Sequence, residues 1–212
     1  MARRTGALCE SILGRMLLSL AAVLVAYSMA PGIFYGAALA IGSALGLPTA
    51  EESVGEALCI IASPKDWDAA SKEERIELLQ VVVDAEAQHL GIWAPQLKAG
   101  SLSELSLVMA CYDGVSNEIT YDTYYLANRP GFDAVETCCH EVYHGFQQSV
   151  CKGLADEPLP GARKRWQSEF DNYVSGAGGS DAYRQQDVEV TARAYAKQRV
   201  AAYREKAKES AA

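Results

Sequence analysis

Residues 133–151 read DAVETCCHEVYHGFQQSVC. Asp133 is suited to a helix N-cap, and Gly153 lies just beyond the stretch, where a glycine commonly ends a helix. These signals predict one helix that begins near Asp133 and runs to about Val150.

His140 and His144 stand four residues apart on this predicted helix. That spacing puts both imidazoles on one face, about one turn apart, so one metal ion can reach both. Glu141 follows the first histidine and points to the side of the site, where it can take a proton from a metal-bound water. The structural alternative is a pair of buried histidines that bracket a salt-bridged glutamate.

The stretch before this helix has a different pattern. Residues 105–127 are rich in Tyr, Val, Ile and Thr and alternate around a turn at 114–117. Leu107 to Tyr112 and Glu118 to Leu126 are therefore predicted to form the two strands of a hairpin.

Helices are predicted on both sides of the hairpin and the 133–150 helix. Ser71-Lys72-Glu73-Glu74 is a capping-box pattern that opens a helix, and Gly91 closes it. Downstream, Trp166 to Tyr173 is predicted to be helical. A glycine-rich turn at 176–180 precedes a long, alanine-rich helix from about Asp187 to Lys208. Helices, a hairpin and then helices indicate an α+β domain with a small sheet.

The N-terminal part of the chain predicts a membrane-spanning segment. Met16 to Leu47 contains no charged side chain, and about 20 apolar residues suffice for a transmembrane helix. Arginines precede the run and glutamates follow it, which favours a cytoplasmic N-terminus and an extracytoplasmic domain. A cleaved signal peptide is the alternative, with small-residue sites at 28–30 and 38–40 and a secreted product.

These signals predict four segments: a basic tail (1–15), a transmembrane or signal-anchor segment (16–47), a linker (48–64) and the folded domain (65–212). Residues 1–50 carry a net charge of +2 and the remainder −10. The acidic domain argues against a nucleic-acid partner, because phosphate binding needs clustered Lys and Arg. No C-x-x-C pair occurs, which argues against a cysteine-based zinc site.

Residues 140–147, HEVYHGFQ, resemble the active-site helix of zincin metallopeptidases. Residues 119–121 and 126–128 resemble the strand that lines the substrate cleft in that fold. Residues 186–195 resemble the second helix of gluzincin-like members, which brings a glutamate to the metal. The resemblance covers roughly residues 70 to 200 and implies a zincin-like domain, a Zn²⁺ cofactor and a peptide or protein substrate. The residues three and six positions after His144 are not the Gly and the His that the metzincin pattern needs.

Two histidines need a third ligand, and an acidic one would leave a position open for water. Glu189 is preferred because it lies in the first turns of the last helix, after a flexible turn, and shares a face with small residues that allow close packing. Asp187 is the second choice, and an ordinary exposed first-turn carboxylate is the alternative interpretation of Glu189. The carboxylates considered are Glu169, Asp171, Asp181, Asp187 and Glu189.

Supporting residues are expected around the metal. Asp187 or Asn172 is a candidate to orient the outer nitrogens of the histidines. Tyr183, Tyr195 and Arg193 are candidates to stabilise the oxyanion that forms as water attacks.

The sequence therefore predicts a membrane-tethered zinc metallopeptidase that hydrolyses peptide bonds, with Glu141 as general base and His140, His144 and Glu189 as zinc ligands. Two alternatives stay open. One is a zincin-like binding or inhibitory module without turnover, and the other is a structural zinc site closed by four protein ligands.

Overall fold

A computed structural model describes residues 50–102, 108–175 and 181–210 of the 212-residue chain. The fold there is mixed α+β, mostly helical, with one three-stranded sheet. The basic tail, the apolar segment 16–47, the strand start at Leu107 and the turn at 176–180 lie outside the described residues. The elements are α1 (Ala50–Ala62), α2 (Pro64–Ala69), α3 (Lys72–Leu90), β1 (Gln96–Gly100), β2 (Ala110–Asp113), β3 (Glu118–Asp122), α4 (Thr123–Asn128), α5 (Gly131–Cys151), α6 (Ala162–Asp171), α7 (Asp181–Gln185) and α8 (Asp187–Ser210).

Most of the expected linker 48–64 is a core helix. Val54, Leu58 and Ile61 of α1 recur at helical spacing, are buried, and pack with the residues of α3 and α8. The short apolar stretch 57–62 therefore belongs to the packed unit. Within the described ranges, none of the helices has both the length and the apolar character that crossing a bilayer requires.

Helix α3 begins and ends where its sequence signals predict. Ser71 Oγ accepts a hydrogen bond from the Glu74 amide (3.2 Å), and the Glu74 carboxylate accepts one from the Ser71 amide (2.7 Å). Gly91 adopts a left-handed conformation (φ +67°) that glycine permits without strain. Leu79, Val83 and Ala87 lie in the core.

The hairpin is present, in a three-stranded sheet of order β1-β3-β2. β2 is antiparallel to β3, with Cys111 opposite Thr120, whereas β1 is parallel to β3 and was not predicted. The second strand ends at Asp122 rather than Leu126, because the Asp122 carboxylate accepts hydrogen bonds from the Tyr124 and Tyr125 amides and caps α4. β2 forms one edge of this sheet.

Helix α5 begins at Gly131, after Pro130, so Asp133 lies in its first turn and is not the N-cap. A Cβ atom at position 131 would lie 2.4 Å from the carbonyl oxygen of Ile61, so the close approach of α1 requires glycine here. The helix ends at Cys151, and Gly153 follows in a left-handed conformation (φ +73°), as expected for a stop.

Helix α8 lies along α5 and places residue 189 beside the two histidines. Ala192 and Ala196 are buried on the face that packs into the core, in agreement with the prediction that small residues on α8 allow close helix packing. The Glu169 carboxylate accepts hydrogen bonds from the Asp187 and Val188 amides (both 2.8 Å) and caps the start of α8.

Candidate metal centre

The two motif histidines converge as the four-residue spacing predicts. Their Nε2 atoms lie 3.0 Å apart, and the rings meet at 90°. The side chains are 16% and 12% exposed, so both are mostly shielded from solvent but not sealed.

Glu189 completes the cluster from α8. Its Oε2 lies 3.4 Å from His140 Nε2, and its Oε1 lies 3.4 Å from His144 Nε2. The side chain is 1% exposed. A carboxylate of this kind is a metal ligand or an ion-pair partner rather than a solvated first-turn group.

The spacing of these atoms fits a zinc ion. Bonds of about 2.0–2.1 Å in a tetrahedral site separate neighbouring ligand atoms by about 3.3–3.4 Å, and the separations here are 3.0, 3.4 and 3.4 Å. Among the described residues, the cluster that can hold a metal ion has three members, His140, His144 and Glu189. Three protein ligands leave a fourth tetrahedral position for water or substrate.

The charges within the cluster support one another. Burial lowers the pKa of His144, but the hydrogen bond with Glu189 and the negative charge of Glu141 outweigh it and raise that pKa above its ordinary value. Burial acts to raise the pKa of Glu189, but contacts with both histidines hold it well below its ordinary range. The Glu189 carboxylate is therefore ionised and available to a cation.

Gln147 orients His144. Its Oε1 lies 2.8 Å from His144 Nδ1, and its amide Nε2 donates to the Val188 carbonyl (2.8 Å) and to Thr191 Oγ1 (2.9 Å). Because the amide donates to α8, its oxygen faces the imidazole and accepts the Nδ1 proton, which leaves Nε2 free for a metal. Sequence reasoning missed Gln147, although position 147 falls on the same helical face as residues 140 and 144.

Asp187 and Asn172, the residues expected to orient the histidines, bond elsewhere. The Asp187 carboxylate accepts a hydrogen bond from Trp166 Nε1 (3.1 Å) and lies 3.5 Å from Arg165 Nε. The Asn172 amide donates to the Ser168 carbonyl (2.9 Å). Asp187 thus ties α8 to α6, and the hydrogen bonds described for it and for Asn172 go to groups other than the histidines.

Glu141 is 7% exposed and lies against the edge strand. Its Oε2 accepts a hydrogen bond from the Tyr112 amide of β2 (2.9 Å). The Asp122 amide donates to the Met109 carbonyl (2.8 Å), so strand register leaves the backbone groups of Ala110 and Tyr112 facing away from β3. Glu141 therefore lies at the outer edge of β2.

Two of the three candidate oxyanion stabilisers lie near Glu189. Arg193 Nη1 is 3.3 Å from Glu189 Oε2. Burial is the largest cause that raises the pKa of Tyr183, and the negative charge of Glu189 is the second. Tyr195 does not reach the metal cluster, because its hydroxyl donates to the buried carboxylate of Glu86. Tyr173, which was not a candidate, donates its hydroxyl proton to Glu189 Oε1 (2.7 Å).

The other carboxylates considered as ligands have different positions. Asp171 is exposed and accepts a hydrogen bond from Gln167 (2.8 Å), and Asp181 is exposed at the start of α7. His89 is exposed in the last turn of α3. Glu189 is therefore the carboxylate of the five that joins the two histidines.

No family model matches the chain, and comparisons with curated proteins and with solved structures found no match.

Proposed function

We propose that the chain is a zinc metallopeptidase of the zincin type, gluzincin-like in its third ligand. The observation that carries this proposal is the three-atom cluster of His140, His144 and Glu189, with one coordination position left over and Glu141 on the same helix. Zinc is the metal that this donor set favours, because two imidazoles, one carboxylate and an open fourth position are typical of catalytic zinc sites.

Glu141 acts as the general base and acid. When bound, zinc would polarise the substrate carbonyl and lower the pKa of a water molecule. The Glu141 carboxylate accepts a proton as the water oxygen adds to the carbonyl carbon, and it returns a proton to the amide nitrogen as the C–N bond breaks. The Tyr112 amide holds one Glu141 oxygen and leaves the other for this transfer.

The substrate in this proposal is a peptide segment in extended conformation. β2 is an edge strand whose Ala110 backbone groups and Tyr112 carbonyl face away from β3, while the Tyr112 amide donates to Glu141. An extended chain that pairs with such an edge would bring a peptide bond alongside the general base. Tyr173, Tyr183 and Arg193, close to Glu189, are candidates to stabilise the oxyanion.

The two alternative functions are less well supported. A structural zinc site needs four protein ligands, and the described residues contribute three. A binding module without turnover has no need of an ionisable Glu141 that is buried beside the cluster, since burying a carboxylate is costly. Tethering through residues 16–47, with the domain outside the cytoplasm, stays a prediction.

The test compares the wild-type protein with Glu141→Gln. We expect the variant to bind zinc with unchanged stoichiometry and to lose turnover by at least about a hundredfold, because an amide cannot take the proton. Zinc content by mass spectrometry and cleavage of a mixed-sequence peptide library measure the two properties separately. Glu136→Gln, five residues earlier on α5, is the matched control and should keep both.

Each outcome points to one function. Zinc with turnover that depends on Glu141 supports the peptidase, and zinc without turnover supports the structural site. A protein that neither binds zinc nor cleaves peptides supports the binding module. Full activity of Glu141→Gln would overturn the proposed mechanism.

A further inference from the structure

A second buried polar cluster lies deeper in the fold, away from the metal ligands. Glu86 of α3 is completely buried, and its carboxylate accepts short hydrogen bonds from the hydroxyls of Tyr195 and Tyr203. Arg199 Nη2 and Nε also donate to it, each at 2.8 Å to Oε1. These donors come from successive turns of α8, so one helix supplies hydrogen bonds to both oxygens of the carboxylate.

The same cluster reaches the motif helix through a tyrosine ring. Tyr195 stacks on Tyr143, with ring centroids 4.5 Å apart and planes at 25°. Tyr143 lies on α5 between the two histidine ligands. Tyr195 therefore contacts α3 with its hydroxyl and α5 with its ring, fewer than two turns beyond Glu189.

Helix α8 is held at its start by Glu169 and Gln147, and Glu86 holds it again further along its length. Beyond Glu189 the next buried residues are Ala192 and Ala196, which permit close approach but specify little about axial position. A slip of one residue would move the Glu189 carboxylate by about 1.5 Å along the axis and about 100° around it. Metal–ligand distances tolerate only about 0.2 Å, so a slipped helix would withdraw the third ligand.

We propose that Glu86, with Tyr195, Arg199 and Tyr203, sets the register of α8 and so positions Glu189 for metal binding. Glu86 is a positioning residue and does not touch the metal. Buried polar groups are expensive for stability, and fixing a register is the use for which they are best attested. This inference rests on the metal site of the proposed function but not on its hydrolytic activity.

The experiment measures zinc affinity and stability separately in the full-length chain. Zinc dissociation constants come from chelator competition, and the stability of the zinc-free protein comes from urea unfolding. We expect Glu86→Gln to raise the zinc dissociation constant by about tenfold or more, as is typical when a ligand loses its support. Helical circular dichroism should remain.

The matched control is Arg75→Met on the same helix. Arg75 is also a buried charged residue, but it donates to the Trp67, Leu126 and Ala127 carbonyls and ties α3 to α2 and α4. This variant should lose stability and keep the zinc affinity of the wild type within about threefold, because α8 is untouched. Equal weakening in both variants would mean a generic stability effect and would overturn the inference.

Further outcomes separate the two proposals. If Glu86→Gln does not fold, Tyr203→Phe, which removes one hydroxyl, should weaken zinc binding to a smaller extent, and unchanged affinity there would overturn the inference. A folded Glu86→Gln that binds zinc like the wild type also overturns it. If the wild type binds zinc but cleaves nothing, and Glu86→Gln binds it weakly, the inference stands and the proposed function fails. A wild type that binds no zinc overturns both.

Discussion

Gln147 offers the sharpest test of how the histidine side of the site is organised. Its fully buried amide bonds to His144 Nδ1, to the Val188 carbonyl and to Thr191 Oγ1. In Gln147→Leu most of the side-chain bulk is kept, and all three hydrogen bonds are lost. Thr191 still donates to the Asp187 carbonyl (2.6 Å), and the Val188 carbonyl keeps its acceptor role within α8, so the group left unpaired is the imidazole Nδ1–H.

Two magnitudes follow for Gln147→Leu. Leaving one buried polar group unpaired costs about 1–3 kcal/mol, so the unfolding free energy of the zinc-free protein should fall by about 1–3 kcal/mol. Losing the partner of a ligating histidine typically costs 10–100-fold in metal affinity, or about 1.4–2.7 kcal/mol. Urea unfolding without zinc measures the first quantity, and chelator competition measures the second.

Two further variants sharpen the comparison. Gln148→Leu makes the same exchange at the next position of α5, away from His144, and should leave zinc affinity within about threefold. Gln147→Glu can still accept the Nδ1 proton, but it meets the Val188 carbonyl with a second acceptor. It should therefore keep most of the zinc affinity and lose stability. Wild-type zinc affinity in Gln147→Leu would refute the assigned role.

Two other predictions concern the ligand set and pH. Glu189→Ala should raise the zinc dissociation constant by one or more orders of magnitude and Asp187→Ala by much less, since Asp187 bonds to Trp166; the reverse order in chelator competition would show that the wrong carboxylate was chosen. The raised pKa of His144 stabilises the zinc-free protein. This contribution is complete at a pH below 6.5, the usual pKa of histidine, and is lost as the pH rises through the pKa of the folded state. The lowered pKa of Glu189 contributes stability at a pH above 4.5, the usual pKa of glutamate, and this contribution is lost as the pH falls through the pKa of the folded state. The zinc-free protein should therefore be more stable at about pH 6 than at pH 8, whereas added zinc should stabilise it more at pH 8, where the imidazoles are neutral; urea unfolding that shows the opposite order would contradict this.

The parts of the fold that the sequence predicts correctly depend on neighbours within a few residues. The pairing of His140 with His144 follows from helix geometry, and the bounds of α3 follow from the capping box at Ser71 and the left-handed Gly91. The start of α5 was misplaced by two residues because a local N-cap signal at Asp133 competed with packing. At Gly131 the carbonyl of Ile61 from a distant helix requires a glycine, and no local pattern reports that contact.

Partners from distant parts of the chain were missed for the same reason. β1 pairs with β3 across about twenty residues, and its five-residue sequence, QLKAG, carries no clear alternation. Tyr195 looked like a metal-site residue because it lies on the correct helix, but its hydroxyl bonds to Glu86, which precedes it by 109 residues. A hydroxyl of a buried tyrosine takes whichever acceptor the packed core supplies.

The choice between Asp187 and Glu189 depends on how α8 packs and not on local sequence signals. Residues two apart on a helix point about 200° from one another, so only one of the two can face α5. Val188 and Ala192 are both completely buried, which turns the Glu189 side of α8 inward and leaves Asp187 to bond with Trp166 on α6. The histidines are held by one helix, whereas Glu189 reaches them only when α8 is docked. A metal ion that binds all three therefore binds the docked state, so zinc affinity and α8 docking must rise and fall together.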